Sequence, residues 1–333
     1  MILFLQKTTD LDILHYQKDF IDYLESKKWI NEPKNLYEPI DYIIKLGGKR
    51  IRPVLTLMAA DIFSGGYEKA MPAALAVEVF HNFTLIHDDI MDDAPLRRGK
   101  ETVHEKWNVN TGILSGDAML ILAYQYFENY EPIVFQNLAK LFSKTALEVC
   151  DGQQLDVDFE TRNDVTINEY IDMIRLKTSV LVAAALKMGA IVSETTEENA
   201  NLIYDFGLNL GLAFQLQDDY LDTFGDPETF GKQVGGDIIE NKKTYLYLKS
   251  LEVANEVDRS KLQFFYNQKL KDNSIKIAEV TRIFEVNDIP DLIKEQIKNY
   301  TDKAFRTLSA MNISEENQQG LKNFGLWLMN RSV

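Results

Sequence analysis

The string Asp-Asp-x-x-Asp closes two apolar runs, once at Asp88-Asp89-Ile90-Met91-Asp92 and again at Asp218-Asp219-Tyr220-Leu221-Asp222. Between Ala73 and Asp92, apolar side chains stand at Val77, Phe80, Phe83, Ile86 and Ile90, with half-apolar Thr84 among them, at intervals of three and four. Ahead of the second string, Ile203, Phe206, Leu210, Phe214 and Leu221 repeat that period, and Gly207 and Gly211 offer a small-residue face to a neighbouring helix. Both runs therefore read as helices. Residues i and i+4 share a helix face, which aligns Asp88 with Asp92 and Asp218 with Asp222. Like charges so placed repel unless a cation sits with them. The chain must accordingly fold so that two long helices each end where carboxylates can meet a counter-ion.

The remaining sequence also reads as helical. Eight prolines interrupt 333 residues, and breakers fall at Gly47-Gly48, Gly65-Gly66, Ala94-Pro95, Asp226-Pro227 and Gly235-Gly236, leaving ten or more helical pieces. No Asn-Gly or Asp-Gly turn joins alternating runs, and no low-complexity linker or composition shift marks a boundary. The expectation is one all-α domain over residues 1–333, with the motif-poor part from Leu251 onward supplying packing helices.

Charge narrows the function. Lys and Arg total 36 against 51 Asp and Glu, a net charge of −15, which excludes the basic footprint of a nucleic-acid binder and electrostatic attraction to anionic lipid. One cysteine, Cys150, permits no intrachain disulfide and fits a reducing cytoplasm. The apolar start Met1–Leu5 is too short for a signal-peptide core. The apolar run from Val180 to Val192 spans 13 residues and contains a lysine, short of the ~20 a membrane span needs, so no stable membrane insertion is expected.

Paired carboxylates suit Mg²⁺, which takes one or two of them together with substrate phosphates and waters. A lone acidic string is more often a solvated face; two, each closing the apolar half of a helix, favour a metal site. An EF-hand does not fit, because Tyr220 and Thr223 occupy its third and sixth positions counted from Asp218. The stretch from Gly225 to Lys232 imitates a P-loop, but five residues separate Gly225 from Gly231 and Gln233 stands where Ser or Thr is required. There is no GxGxxG, and His15, His81, His87 and His104 form no zinc pattern. Cationic groups accompany the acids: Lys49, Arg50 and Arg52 in Gly47–Pro53 (GGKRIRP), Arg97 and Arg98 just past the first string, Lys177 beside Thr178, then Lys232, Lys242 and Lys243. Any one of these alone reads as a surface charge; together they match phosphate oxygens.

In this order, GGKRIRP, HDDIMDDAPLRRG, GQQLD (Gly152–Asp156), Lys177-Thr178 and FQLQDDYLD…GK…GGD…KKT, the motifs resemble those of the trans-isoprenyl diphosphate synthases, the polyprenyl synthetase family. The resemblance implies an all-α bundle of long helices around a deep central cavity, a homodimer, and condensation of isopentenyl diphosphate with an allylic diphosphate. It implies three Mg²⁺ ions, two on Asp88 and Asp92 and one on Asp218, with Asp89, Asp219 and Asp222 supporting. Arg97, Lys177 and Lys232 resemble the grip on the allylic diphosphate; Lys49, Arg52, His81 and Arg98 resemble the isopentenyl diphosphate cup, and Lys242 supports the metal face. Thr178 and Gln215 would turn oxygen dipoles to the allylic cation, and released pyrophosphate would take the final proton, so no protein base is needed. The chain ends Met329-Asn330-Arg331-Ser332-Val333, with a single Arg where many relatives carry a basic closing tail.

Product length is read from the residues below the first acidic string. Phe83 lies five residues before Asp88, ~7.5 Å along a helix, with small Thr84 at four and Phe80 at eight. Phe83 as a floor and Phe83 as an ordinary core aromatic fit this pattern equally well. In the resembled family this arrangement, without an insertion in the acidic string, is of the geranylgeranyl type, with farnesyl diphosphate the second choice. A class I terpene cyclase would lack GGKRIRP, and a non-catalytic subunit of a heteromeric synthase typically loses one acidic motif.

Overall fold

The computed structural model of the chain describes residues 13–226, 234–268 and 272–329. Helical spacing in the sequence becomes helix almost throughout: α1 (Ile13–Glu25), α2 (Lys34–Lys45), α3 (Ile51–Ser64), α4 (Met71–Met91), α5 (Val103–Lys106), α6 (Val109–Gln125), α7 (Pro132–Thr161), α8 (Ile167–Ile174), α9 (Val180–Val192) and α10 (Glu197–Phe224). After them come α11 (Gly236–Glu240), α12 (Tyr245–Val253), α13 (Glu256–Tyr266), α14 (Ser274–Val286), α15 (Ile289–Ala310) and α16 (Glu315–Met329). The all-α expectation holds, and no helix among the described residues is long and apolar enough to cross a membrane.

One strand pair departs from the sequence reading. Leu96–Arg97 (β1) and Lys100–Glu101 (β2) pair antiparallel, Leu96 opposite Glu101. Their turn is Arg98-Gly99, with φ of 54° and 72°, the left-handed pair a two-residue hairpin requires. An Arg at the first position hid that turn from a search for Asn-Gly.

The chain forms two compact units. The first takes residues 13–143 and 184–203. Its centre is α4, buried on nearly every side, packed against α3 and α6. Close packing rests on small residues: a Cβ on Gly112 would sit 2.8 Å from the Ile90 side chain, and one on Gly189 would sit 2.1 Å from the Thr56 carbonyl. An aromatic cluster lies beside α4, where the Phe142 ring stands 5.0 Å from Phe80, 5.2 Å from Phe127 and 4.7 Å from Tyr124. Burying each such ring contributes about 1.5–3 kcal/mol.

The second unit takes residues 144–183 and 204–329, apart from its undescribed stretches. Its core gathers Leu212 and Leu216 of α10, Leu246 and Leu248 of α12, Ile283 and Phe284 of α14 and Ile293 of α15. The part from Leu251 onward thus packs as helices, as its sequence suggested. Thr166 and Glu169 close a capping box at the start of α8. Between α8 and α9 the chain makes one π-helical turn, Arg175–Ser179, which carries Lys177 and Thr178. Such turns are rare and frequent at functional sites.

Candidate active site

In the first unit α4 runs unbroken into its acidic string, and the Asp92 N–H still donates to the Asp88 carbonyl at 2.8 Å. Asp88 and Asp92 thereby keep helical i, i+4 register; Asp88 is half-buried and Asp92 exposed. Asp89 points the other way. Its side chain is 1% exposed and takes both oxygens of its carboxylate to Arg97 Nε, each at 2.8 Å, with Arg97 Nη2 at 2.6 Å. This fork fixes β1 against the end of α4 and neutralises a buried charge.

The Gly47–Pro53 segment brings its cations to the same unit. The Arg50 backbone, at φ 51°, starts α3, and its buried guanidinium pairs with Glu78 and donates to the Ile44 carbonyl at 2.6 Å. Asn82 donates to the same Glu78 carboxylate at 2.9 Å. Arg52 Nη1 lies 3.2 Å from His81 Nε2. A guanidinium can only donate, so Nε2 accepts and the ring proton belongs on Nδ1. Burial, then Arg52 and the guanidiniums of Arg98, Arg97 and Arg50, push the His81 imidazole well below its ordinary range and keep it neutral. Arg98 donates to the Gly47 carbonyl and lies against Gly48, where a Cβ would come within 2.8 Å of Nη2. Lys49 is exposed beside them. Phe83 is buried, its ring 5.4 Å from Phe80 and 4.8 Å from His87.

In the second unit a cleft of about 160 Å³ collects Asp156, Tyr170, Lys177, Thr178, Gln215, Asp219, Asp237 and Lys242. The Lys177 ammonium donates to Asp156 Oδ2 at 2.6 Å and Lys242 stands 3.6 Å from the same oxygen. Burial opposes ionisation of Asp156, but the two ammoniums outweigh it and hold its carboxyl below the usual range. Thr178 Oγ1 donates to Gln215 Oε1 at 3.1 Å, and Gln215 Nε2 donates to Asp219 Oδ1 at 3.2 Å. The Tyr170 hydroxyl donates to the other oxygen of Asp219. Asp219 is 3% exposed. Its carboxyl is pushed up to about 7, by burial first and then by Asp218 and Asp222, against the opposing hydrogen bonds of Tyr170 and Gln215. The backbone N–H of Asp237 donates to Asp222 Oδ2 at 2.9 Å. Burial, Asp222 and Asp219 raise Asp237 well above a free carboxyl. These buried, crowded acids form an oxygen-only set, the donor chemistry of a hard divalent cation. Lys243 lines the same cleft but is tied to the backbone, donating to the Phe159 and Glu160 carbonyls at 2.5 and 3.0 Å at the C-terminus of α7.

The polyprenyl synthetase family profile matches residues 33–284. The chain belongs to the polyprenyl synthetase family. It is similar to the geranylgeranyl diphosphate synthase of Methanosarcina mazei, 41% identical over 231 residues that cover 69% of this chain and 71% of that relative. It is 38% identical to the geranylfarnesyl diphosphate synthase of Natronomonas pharaonis, over 69% of this chain and 72% of that one. A crystal structure of a geranylgeranyl pyrophosphate synthase superposes with a TM-score of 0.93 at 54% identity, covering 97% of this chain and 99% of the other.

Within this polyprenyl synthetase, five sequence-predicted residues, Lys177, Thr178, Gln215, Asp219 and Lys242, line one cleft. Asp218 and Asp222 lie on the same last turns of α10. Arg97 is engaged with Asp89, and Lys232 lies outside the described residues, as do the last four residues of the chain. Asp156 and Asp237, which close the GQQLD and GGD motifs, join the site without a role in the sequence reading, although the motifs contain their signal. Tyr170, Glu78 and Asn82 stand in no motif, and only the fold reveals them.

Proposed function

We propose that the protein is a Mg²⁺-dependent trans-prenyltransferase that condenses isopentenyl diphosphate with an allylic diphosphate and releases geranylgeranyl diphosphate. The observation that carries this reading is the second-unit cleft, where acid oxygens, two ammoniums and the Thr178–Gln215 dipole pair converge. The relatives named for geranylgeranyl diphosphate support the product over farnesyl diphosphate. A class I cyclase reading lacks support, since the family profile covers the GGKRIRP segment as well as both acidic strings.

The residues divide the work by chemistry. Asp88, Asp92 and Asp218, supported by Asp89, Asp219 and Asp222, would hold Mg²⁺, three ions in all, and bound Mg²⁺ would neutralise the diphosphate so that it can leave. Lys177 and Lys242 present ammoniums to phosphate oxygens, and Arg97 and Lys232 complete that grip. Lys49, Arg52, Arg98 and neutral His81 bind isopentenyl diphosphate. Thr178 Oγ1 and the Gln215 amide oxygen face the electron-poor allylic carbons, and apolar helix faces exclude water from them. Phe83 forms the floor that stops elongation.

A cytoplasmic homodimer completes the reading. Ile113, Leu114 and Ile121 of α6 and Ile133 of α7 are exposed apolar side chains that a second copy would cover. The test is incubation of the purified protein with Mg²⁺, isopentenyl diphosphate and, separately, five-, ten- and fifteen-carbon allylic diphosphates, with products resolved by mass. A twenty-carbon prenyl diphosphate is expected, lost in Asp88→Ala and in Asp218→Ala. Full rate in both variants, or cyclic hydrocarbon from an allylic diphosphate alone, would sink the reading.

A further inference from the structure

We propose that Asp93, His104 and Glu105 form a second cation site, chemically unlike the aspartate set, that takes a borderline divalent transition cation such as Zn²⁺ or Co²⁺. One ring nitrogen of His104 and one carboxylate oxygen each from Asp93 and Glu105 lie within 4.8 Å of one another. The imidazole is the observation that points to a ligand. Its side chain is 5% exposed, and neither Nδ1 nor Nε2 has a hydrogen-bond partner among the described residues. Glu105 Oε1 stands 3.7 Å from Nε2, outside hydrogen-bond range. A buried imidazole left without partners is costly, and such groups in folded proteins are met by an ordered water or an ion.

The three donors can close on a cation. Bonds of ~2.0–2.2 Å place tetrahedral ligands about 3.3 Å apart. Asp93 and Glu105 are both exposed beside the buried imidazole, so a small rotation of their side chains would close the set. A nitrogen donor beside two carboxylates selects against Mg²⁺ and for Zn²⁺, Co²⁺ or Ni²⁺, and three protein ligands leave one position for water. The ligands also come from two segments. Asp93 lies two residues past the end of α4, whereas His104 and Glu105 belong to α5, on the far side of the β1–β2 hairpin. A cation there ties the end of the helix bearing Asp88 and Asp92 to α5, in parallel with the Thr102 hydroxyl, which donates to the Ala94 carbonyl at 2.8 Å. The sequence shows His104-Glu105 alone and no zinc spacing; only the fold supplies Asp93.

The test is a binding measurement on the full chain and does not depend on the proposed reaction. With Mg²⁺ in large excess to occupy the all-oxygen sets, the protein is titrated with Co²⁺, and the visible ligand-field bands and the melting temperature are followed, then Zn²⁺ is added. Stoichiometric Co²⁺ bands displaced by Zn²⁺ are expected, retained in Asp88→Asn. They should weaken in Glu105→Gln and in His104→Ala by more than the ~10-fold that loss of an outer partner costs. Glu105 is exposed, so its variant folds even if His104→Ala does not. Absence of Co²⁺ bands, or bands that survive Glu105→Gln and vanish in Asp88→Asn, would overturn the proposal and leave His104 to a buried water.

Discussion

Gly152 of α7 lies directly against the backbone of Lys177: a Cβ built on the glycine would fall 2.2 Å from the Lys177 nitrogen. From the other side Gly211 of α10 leaves room for Ser179, whose Cα would stand 2.8 Å from an added Cβ. The π-turn that carries Lys177 and Thr178 is thus gripped between two glycines, and one helical turn beyond Gly152 comes Asp156, the partner of the Lys177 ammonium. Gly152→Ala must push that turn away. A loss of about 1–3 kcal/mol is expected by chemical denaturation, with a raised KM for the allylic diphosphate. Unchanged stability and kinetics would mean the turn shifts freely and the contact does not position Lys177.

His81 gives the protein an acid-side signature. Its imidazole titrates well below 6.5 in the fold, so below pH 6.5 the unfolded chain binds a proton that the folded chain refuses. Its contribution is therefore fully present above pH 6.5 and lost as the pH falls toward the folded value, at up to about 1.4 kcal/mol per pH unit. Gln at this position accepts from Arg52 at any pH. Urea unfolding of His81→Gln between pH 5 and 7 should show a flatter acid-side slope than the parent; parallel slopes would place the titration elsewhere.

Legibility in the sequence follows how local each signal is. Helical periods and the acidic strings are local, so α4 and α10 and the alignment of Asp88 with Asp92 could be read directly. The division of labour inside each string could not. Asp89 and Asp219 look identical to their neighbours, yet burial turns one to Arg97 and the other to Tyr170, and burial depends on which helices pack behind them. The small-residue face at Gly211 was visible as spacing, but its partner Ser179 was not. Arg50 illustrates the same limit: within a run of three cations it reads as one more phosphate ligand, whereas Glu78, 28 residues away, claims it for the interior.

Phe83 stands where the floor of the product tunnel is proposed, and its ring contacts two aromatic neighbours, Phe80 at 5.4 Å and His87 at 4.8 Å. Truncation to Ala removes that barrier without touching Asp88. Mass analysis of Phe83→Ala products should show a shift beyond twenty carbons, alongside a stability loss of about 3 kcal/mol for the vacated space. The same stability loss with an unchanged product distribution would return Phe83 to an ordinary core role.

Asp156 is a positioning residue. Lys177 and Lys242 both converge on its Oδ2, at 2.6 and 3.6 Å, so one carboxylate orients two ammoniums toward the cleft. The arrangement lowers the cost of holding two cations together, and it fixes them before any diphosphate arrives. Asp156→Asn keeps an oxygen that can accept from Lys177 but removes the charge that holds Lys242 alongside it. The fold should survive, since both ammoniums reach solvent at the rim. Displacement of a phosphate ligand by even an ångström costs on the order of a hundredfold, so kcat/KM for the allylic diphosphate should fall by about that factor. The loss should appear mainly in KM if Asp156 only arranges the grip. Measurement of kcat and KM separately for both diphosphates decides it: an equal drop for isopentenyl diphosphate, or no drop for either, would remove Asp156 from the allylic side.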